Sequence, residues 1–288
     1  MKHSISVHAR TSPFTVCSDW VSKNPLRNLF FIVFLLFTEA AYSDDLPFKN
    51  KTIVGCENAE GYPPFVYESR ITGALEGYSV ELLDLVFEGS GANLEHVLLP
   101  WVRCLKGIDA GKEMDIVLTA ASNEERRSKY IFSDAISKVH LAYFYDSQRY
   151  PQGLSVETPG DLDNLETVCG MRGWIYDSYG LSKDVYQKAY RFKQLVRMVI
   201  KKRCNAILVR YEVFRSFPRI YPEFEYHDRM RGGIVPWRKD HPIKFYFMAK
   251  KNSDYHADLI AYINTRMKQL GESGKLKPIK IKFGLSVD

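Results

Sequence analysis

Apolar and polar residues follow one another along this chain in short blocks of two kinds. Short apolar runs have the length of buried strands, and longer segments place apolar residues at helical spacing on one face. Because strands that alternate with helices need crossover connections, the pattern predicts an α/β fold with mainly parallel sheets. Strands are expected at 51–56, 94–99, 114–118, 141–145, 167–170, 206–209 and 245–249, and helices at 79–91, 101–110, 193–202 and 257–270.

The alternation is interrupted after the strand expected at 141–145. Pro151, Gly153, Pro159 and Gly160 break the pattern before it resumes. We expect the chain to cross into a second unit there, and the strand near 245–249 to return to the first.

One strongly apolar run, at 29–37, lies near the N-terminus. Lys23 and Arg27 precede it, and 41–43 has small residues at its first and third positions. This arrangement is typical of a secretory signal, so we predict a cleaved signal peptide at 1–43 and a soluble periplasmic protein. An uncleaved anchor is the alternative, but the run is shorter than the roughly 18 residues that span a bilayer.

Charge and composition exclude several classes of function. Outside 1–43 the chain has 36 Lys and Arg against 32 Asp and Glu, and no basic run dominates one segment. This mild excess does not favour nucleic acid as a partner. Metal-ligand spacing of Cys or His is absent, so we expect neither a metal nor a cofactor.

Four cysteines remain outside the predicted signal peptide. An even number in an exported protein favours two disulfides, and four cysteines allow three connectivities. If each half of the chain forms a separate lobe, pairing within each half is the simplest choice. Four buried free thiols are the alternative. The cysteines are Cys56 and Cys104 in the first half and Cys169 and Cys204 in the second.

The segment 119–134 carries the most specific local signal. It follows the apolar run 116–118, and Ser122 with Glu125 three residues later is a capping-box pattern for a helix start. Arg126 would then lie in the first helical turn. Free N–H groups at a helix start attract anions, and a guanidinium can hold a carboxylate by two parallel hydrogen bonds. The segment therefore predicts a small anionic ligand.

Several short motifs, weak one by one, occur in a specific order. Together they resemble the family 3 extracellular solute-binding proteins, the periplasmic amino-acid-binding type of ABC importers, over about 51–284. The motifs are Y-P-P-F at 62–65, G-Y-S-V-E-L-L-D at 77–84, P-W at 100–101, G-K-E-M-D-I at 111–116, E-E-R at 124–126, F-S-D at 132–134 and G-E-S-G-K-L-K-P-I at 271–279.

The resemblance implies a two-lobe fold of the periplasmic binding protein type. Each lobe would be a mainly parallel sheet flanked by helices, with two crossing strands as the hinge and the ligand held between the lobes. Lobe one would comprise 46–143 plus 248–288, and lobe two 144–247.

The resemblance also implies ligand-binding roles for particular residues. Arg126 falls on the family's carboxylate-binding arginine, and Thr119 on a position that lines the same pocket. Tyr62 and Phe65 fall on an aromatic segment that packs against ligand, and Glu57 near an acidic position that faces it. For Arg126 the alternative is a surface residue paired with a glutamate.

The chain departs from the family pattern at both ends of the ligand. Ala121 replaces a usual Thr or Ser, so one hydroxyl donor to the carboxylate is missing, and Arg210 stands where an acidic residue normally pairs with the ligand's ammonium. Either Glu212 takes that ammonium, or the ligand lacks one and two arginines favour two negative groups. Trp174 and Tyr176 could then supply stacking surfaces for a ring. Alternatively, Arg210 turns away and pairs locally.

The resemblance favours a binding protein over an enzyme. We expect a monomer that captures a small carboxylate-bearing ligand by hinged closure and delivers it to a membrane ABC permease. An enzyme on the same fold, of the cyclohexadienyl-dehydratase type, is one alternative, and a ligand-sensing module for a separate receptor is another.

Overall fold

Buried apolar strands form the centre of each half of the molecule. The computed structural model describes residues 47–287, apart from 112 and 225–227. The predicted signal peptide at 1–43 therefore lies outside the described residues. The strands are β1 (Thr52–Asn58), β2 (Tyr67–Glu68), β3 (Leu75–Glu76), β4 (Asn93–Leu99), β5 (Ile116–Ala121), β6 (Tyr130–Phe132), β7 (Ser137–Val139), β8 (Leu141–Asp146), β9 (Val168–Met171), β10 (Tyr186–Ala189), β11 (Ala206–Arg210), β12 (Met230–Ile234) and β13 (Ile243–Lys250).

Helices cover these strands and connect them. The described helices are α1 (Tyr78–Phe87), α2 (Trp101–Ala110), α3 (Glu124–Lys129), α4 (Pro159–Asp163), α5 (Phe192–Ile200), α6 (Tyr211–Ile220), α7 (Asp254–Glu272) and α8 (Leu276–Lys282). None of these helices in the described part of the chain is long and apolar enough to cross a membrane. Helix α2 ends at Ala110 as predicted, because Gly111 adopts a left-handed conformation and its N–H closes the last turn.

The strands form two sheets that divide the chain into two lobes. The first sheet has the order β4-β1-β5-β13-β6, with β7 paired to β13, and the second has the order β10-β9-β11-β8-β12. Within each sheet the first three strands are parallel. The two-lobe α/β architecture expected from the resemblance is therefore confirmed.

The strands that run against this direction are the ones next to the crossings. β13 pairs antiparallel with β5, and β8 pairs antiparallel with β11. The chain leaves the first sheet between β7 and β8 and returns between β12 and β13. The two sheets thus exchange the chain near 140 and near 235–243, while the lobe boundaries at 143/144 and 247/248 remain a prediction.

Two disulfides fasten strands within the two lobes. Cys56 of β1 is joined to Cys104 of α2, and Cys169 of β9 is joined to Cys204, two residues before β11. The pairing within halves is confirmed. Each bond ties a strand to the element packed beside it, and so limits local movement within its own lobe.

Candidate functional site

A small cavity lies between the lobes, beyond the carboxyl ends of the parallel strands. This is the place where open α/β sheets bind ligands. Its volume is about 20 Å³, roughly the room that one water molecule needs. Six residues predicted from the sequence line it, namely Glu57, Tyr62, Thr119, Arg126, Trp174 and Arg210.

Arg126 spans the cavity from the first lobe to the second. Its Nη1 donates to the carbonyl oxygen of Ala121 at 2.8 Å, and its Nη2 donates to that of Gly173 at 2.8 Å. The side chain is 7% exposed, and its guanidinium lies over the ring of Trp101, 5.3 Å from the centroid. Burial, helped by the charge of Arg210, lowers the pKa of Arg126 to about 10. It therefore stays protonated at neutral pH.

The helix that carries Arg126 begins one residue later than the sequence suggests. Asn123 is the N-cap, and its side chain accepts from the backbone N–H of Arg126 at 2.9 Å. The capping box expected from Ser122 and Glu125 is therefore wrong, and Ser122 instead accepts from Arg127. Because the N–H of Arg126 is already bonded, the attraction for an anion at this position comes from the guanidinium.

Gly173 brings the second lobe into direct contact with the first. Its carbonyl oxygen accepts from Arg126 and also from Nε1 of Trp101 at 3.0 Å. Its φ of 77° is a left-handed conformation that favours glycine, and a Cβ there would lie 3.1 Å from Trp101 and 3.2 Å from Val102. The glycine is what lets this turn approach the first lobe so closely.

Arg210 lies on the opposite wall, at the end of β11. It is 3% exposed, and its Nη2 donates to the carbonyl oxygen of Ile175 at 3.1 Å. Within the described residues, its Nε and Nη1 have no hydrogen-bond partner. Its guanidinium lies 5.9 Å from the ring centroid of Trp174 and 5.8 Å from that of Tyr179. A buried guanidinium with two unbonded nitrogens is rare in proteins and calls for an explanation.

Glu57 is the carboxyl group of the cavity. It is 1% exposed; its Oε1 accepts from the N–H of Asn58 at 2.8 Å, and its Oε2 has no partner among the described residues. Burial raises the pKa of Glu57 to about 8, against the smaller lowering effects of the Asn58 N–H and of the nearby Thr119 hydroxyl. At neutral pH the group is therefore mostly protonated and can donate a hydrogen bond.

Aromatic rings fill much of the space between the lobes. Trp174 of the second lobe packs edge-on against Tyr62 of the first, with centroids 5.3 Å apart, and against Phe192 at 5.4 Å. Burial raises the pKa of Tyr62 well above its ordinary value, so its hydroxyl stays neutral. Trp174 thus lines the cavity while its ring packs against aromatic rings of both lobes.

Three predicted ligand residues do not reach the cavity. Phe65 is fully buried against Tyr62 and Phe245 in the core. Tyr176 is buried within the second lobe, and its hydroxyl accepts from the N–H of Met171. Glu212 accepts from the backbone N–H of His140 at 2.9 Å and pairs with its ring at 2.6 Å. Glu212 thus ties α6 to the segment where the chain crosses between lobes.

A family model agrees with this architecture. Residues 53–286 match the model of the bacterial extracellular solute-binding proteins, family 3. The chain belongs to this family. The family that the short motifs indicated is therefore confirmed over most of the chain.

One curated relative matches part of the chain. The L-cystine-binding protein TcyA of Bacillus subtilis (strain 168) is 31% identical over 86 residues. That alignment covers 30% of this chain and 31% of TcyA, so the chain matches less than a third of that relative's length.

Solved structures extend the likeness over the whole described fold. The amino acid ABC transporter substrate-binding protein AbpA of Streptococcus pneumoniae, bound to L-arginine, has a TM-score of 0.64 at 18% identity, over 82% of this chain and 96% of its own. The ancestral amino-acid-binding protein AncCDT-1, a precursor of cyclohexadienyl dehydratase, has 0.64 at 18% identity, over 81% and 95%. At such identities the likeness shows the fold.

Four further residues line the cavity, namely Trp101, Ala121, Ile175 and Phe245. Sequence reasoning placed Ala121 at the site and missed the other three. Trp101 starts an amphipathic helix, and its side chain both packs in the core and lines the cavity. Its place directly after Pro100, in the P-W motif of the resemblance, was the one signal that could have indicated its position.

Proposed function

We propose that this chain is a periplasmic solute-binding protein that captures a small carboxylate-bearing ligand between its two lobes. The observation that carries the proposal is Arg126, a buried guanidinium aimed across the cavity and bonded there to the Gly173 carbonyl oxygen. A ligand carboxylate can replace that carbonyl and gain two charge-assisted hydrogen bonds. Family membership supports the same role.

Capture proceeds by hinged closure. Contacts that join the lobes surround the cavity: Trp101 and Arg126 to Gly173, and Asn123 Nδ2 to Asp177 Oδ2 at 2.7 Å. With a volume of about 20 Å³, the cavity is too small for an amino-acid-sized ligand. The lobes must therefore open about the crossing segments to admit the ligand and then close over it.

Export and delivery complete the proposed role. The basic flank, apolar run and small-x-small site within 1–43 support a cleaved signal peptide. The names of the matching structures, which include an amino acid ABC transporter substrate-binding protein, support a membrane ABC permease as the partner. The protein acts as a monomer that presents its closed shape to that permease.

A thermal-shift screen tests the proposal directly. Purified mature protein is heated with amino acids, dicarboxylates, aromatic acids, small peptides and neutral sugars. A ligand present at 100 times its Kd stabilises the fold by about 2.7 kcal/mol, so carboxylates are expected to raise Tm and sugars are not. Small-angle scattering of hits should show a smaller radius of gyration. Stabilisation by uncharged solutes alone would overturn the carboxylate role.

The protonated Glu57 also makes a catalytic alternative testable. A buried carboxylic acid beside two arginines has the makings of a general acid for a dehydratase. Incubation with prephenate or arogenate is expected to return the substrate unchanged, as a binding protein requires. Formation of an aromatic product would replace the proposed function with an enzymatic one.

A further inference from the structure

The unbonded nitrogens of Arg210 are the strongest unexplained feature of the cavity. Arg126 has hydrogen-bond partners on both terminal nitrogens, whereas Nε and Nη1 of Arg210 have none among the described residues, although the side chain is almost fully buried. A buried cation without a counter-charge is strongly unfavourable. An anionic group arriving in the cavity would satisfy it.

The surrounding groups do not provide that counter-charge. Glu212, the nearest acidic residue in sequence, is held by His140 outside the cavity lining. Glu57 lines the cavity, but burial keeps it mostly protonated at neutral pH. The rings of Trp174 and Tyr179 near Arg210 are neutral. As described, the cavity therefore holds two positive charges and a carboxylic acid.

We infer that the ligand carries two anionic groups and no ammonium, with one anionic group on Arg126 and the other on Nε and Nη1 of Arg210. The inference rests on the proposed function and specifies its substrate class. Glu57 contributes as a neutral donor, its Oε2 hydroxyl pointing to a ligand oxygen. A small dicarboxylate, or a carboxylate that also bears a phosphate or sulfonate, has this chemistry.

An α-amino acid fits this cavity less well for two reasons. Its ammonium would lie with two guanidinium groups, and like charges repel strongly in a buried site. An α-amino acid with a neutral side chain, which has a single carboxylate, would also leave one guanidinium uncompensated. The carboxyl of Glu57 could offset the ammonium only by losing its proton inside a buried site, against the desolvation that raises its pKa.

Matched ligands that share a carbon skeleton test the inference. Calorimetry at pH 7 compares succinate with aspartate and succinamate, and glutarate with glutamate and glutaramate, together with the same three forms of any skeleton found by the screen. The dicarboxylate is expected to bind at least about tenfold more tightly than its amino acid and its monoamide. An amino acid or monoamide that binds as tightly as its dicarboxylate would overturn the inference while leaving the proposed function intact. Failure of every carboxylate would overturn both.

An Arg210→Met variant assigns the preference to this residue. The ratio of dicarboxylate to monoamide affinity is expected to collapse to within about threefold, while the monoamide itself still binds. Arg215→Met, on the exposed face of α6, is the matched control and should keep the wild-type ratio. Arg210→Lys, which retains the charge, should keep much of the preference. Equal weakening of all three ligand types in Arg210→Met would indicate a purely structural role and overturn the assignment.

Discussion

The two walls of the cavity carry the same chemical group in opposite states. On the first lobe, the Arg126 guanidinium is bonded to two backbone carbonyls and stacked on Trp101. On the second, Arg210 makes one hydrogen bond with Nη2, and its other two nitrogens have no partner in the described part of the chain. Both are buried, so the difference lies in hydrogen bonding rather than in exposure.

The comparison distinguishes an arginine that stabilises the fold from one whose hydrogen bonds are left unmet. Arg126 contributes to the closed arrangement because its bond to Gly173 joins the lobes. Arg210 contributes little to stability as it stands, because desolvation of its charge is only partly offset. A buried group that lowers stability is typical of a functional site, where unmet bonds are reserved for the ligand.

The largest expected effect is the loss of ligand affinity when Arg126, on the first wall, is replaced. Arg126→Met removes the guanidinium while keeping most of the side-chain volume, and ligand binding should weaken by about 2–5 kcal/mol because a desolvated carboxylate loses its partner. Titration calorimetry measures this loss. Arg127→Met is the control, since Arg127 is the exposed neighbour on the same helix and should bind as the wild type does. Wild-type affinity in Arg126→Met would remove this residue from the site.

The second prediction compares how the two arginines affect the free energy of unfolding. Arg126→Met leaves the Ala121 carbonyl oxygen without that donor and should lower the free energy of unfolding by about 1–3 kcal/mol. Arg210→Met should leave it unchanged or raise it by about 1–4 kcal/mol, because an isolated buried charge is replaced by an apolar chain. Urea denaturation without ligand measures both. Equal destabilisation by the two variants would contradict the comparison.

Measurements of stability against pH test whether Glu57 is protonated in the folded protein. The carboxyl titrates near its ordinary value of 4.5 in the unfolded chain and near 8 when folded. Between these values the folded protein holds a proton that the unfolded chain has released. The free energy of unfolding should therefore fall as pH rises from about 4.5 to about 8, by on the order of 1 kcal/mol per pH unit.

A Glu57→Gln variant isolates this contribution, because a glutamine mimics the protonated acid at every pH. Its denaturation midpoint should vary less than that of the wild type across the same window. Glu124→Gln, at an exposed position, should follow the wild type. Parallel profiles for Glu57→Gln and wild type would mean that Glu57 is ionised in the fold.

The smallest effect concerns the turn that joins the walls. Gly173→Ala introduces a Cβ against Trp101 and Val102 in a left-handed conformation, and should weaken ligand binding by about 1 kcal/mol by hindering closure. Gly153→Ala is matched in backbone strain, since its φ is 92°, but its Cβ would meet only the Tyr145 hydroxyl within 4 Å. That control should lose stability without losing affinity. Unchanged affinity in both would separate the turn from closure.

Local sequence signals predicted seven of the thirteen described strands, together with helices α1, α2, α5 and α7. The strand–helix alternation, the end of α2 at Ala110 and the pairing of cysteines within each half could be predicted from the sequence. Each depends on neighbours in sequence or on the order of elements. One departure concerned the Arg126 helix, where Asn123 rather than Ser122 is the N-cap. Both are good capping residues, and the choice depends on where the preceding strand ends.

The site was only partly predictable, because long-range packing decides which side chains reach the cavity. Phe65 and Tyr176 are aromatic residues of the kind that often contact ligands, yet each is buried in the core of its own lobe. The sequence allowed Glu212 to bind a ligand ammonium, but in the structure its carboxylate pairs with the ring of His140, more than seventy residues earlier in the chain. Nor could the sequence reveal that a backbone carbonyl, at Gly173, faces the key arginine.

That carbonyl has a consequence for how affinity is tuned. Since the Gly173 oxygen accepts from both Trp101 and Arg126, the proposed ligand would compete with the protein's own main chain for the same donors. Measured affinity is then a difference between two sets of bonds. Substitutions that reposition the 172–174 turn can set the concentration at which the protein responds without ever touching the solute.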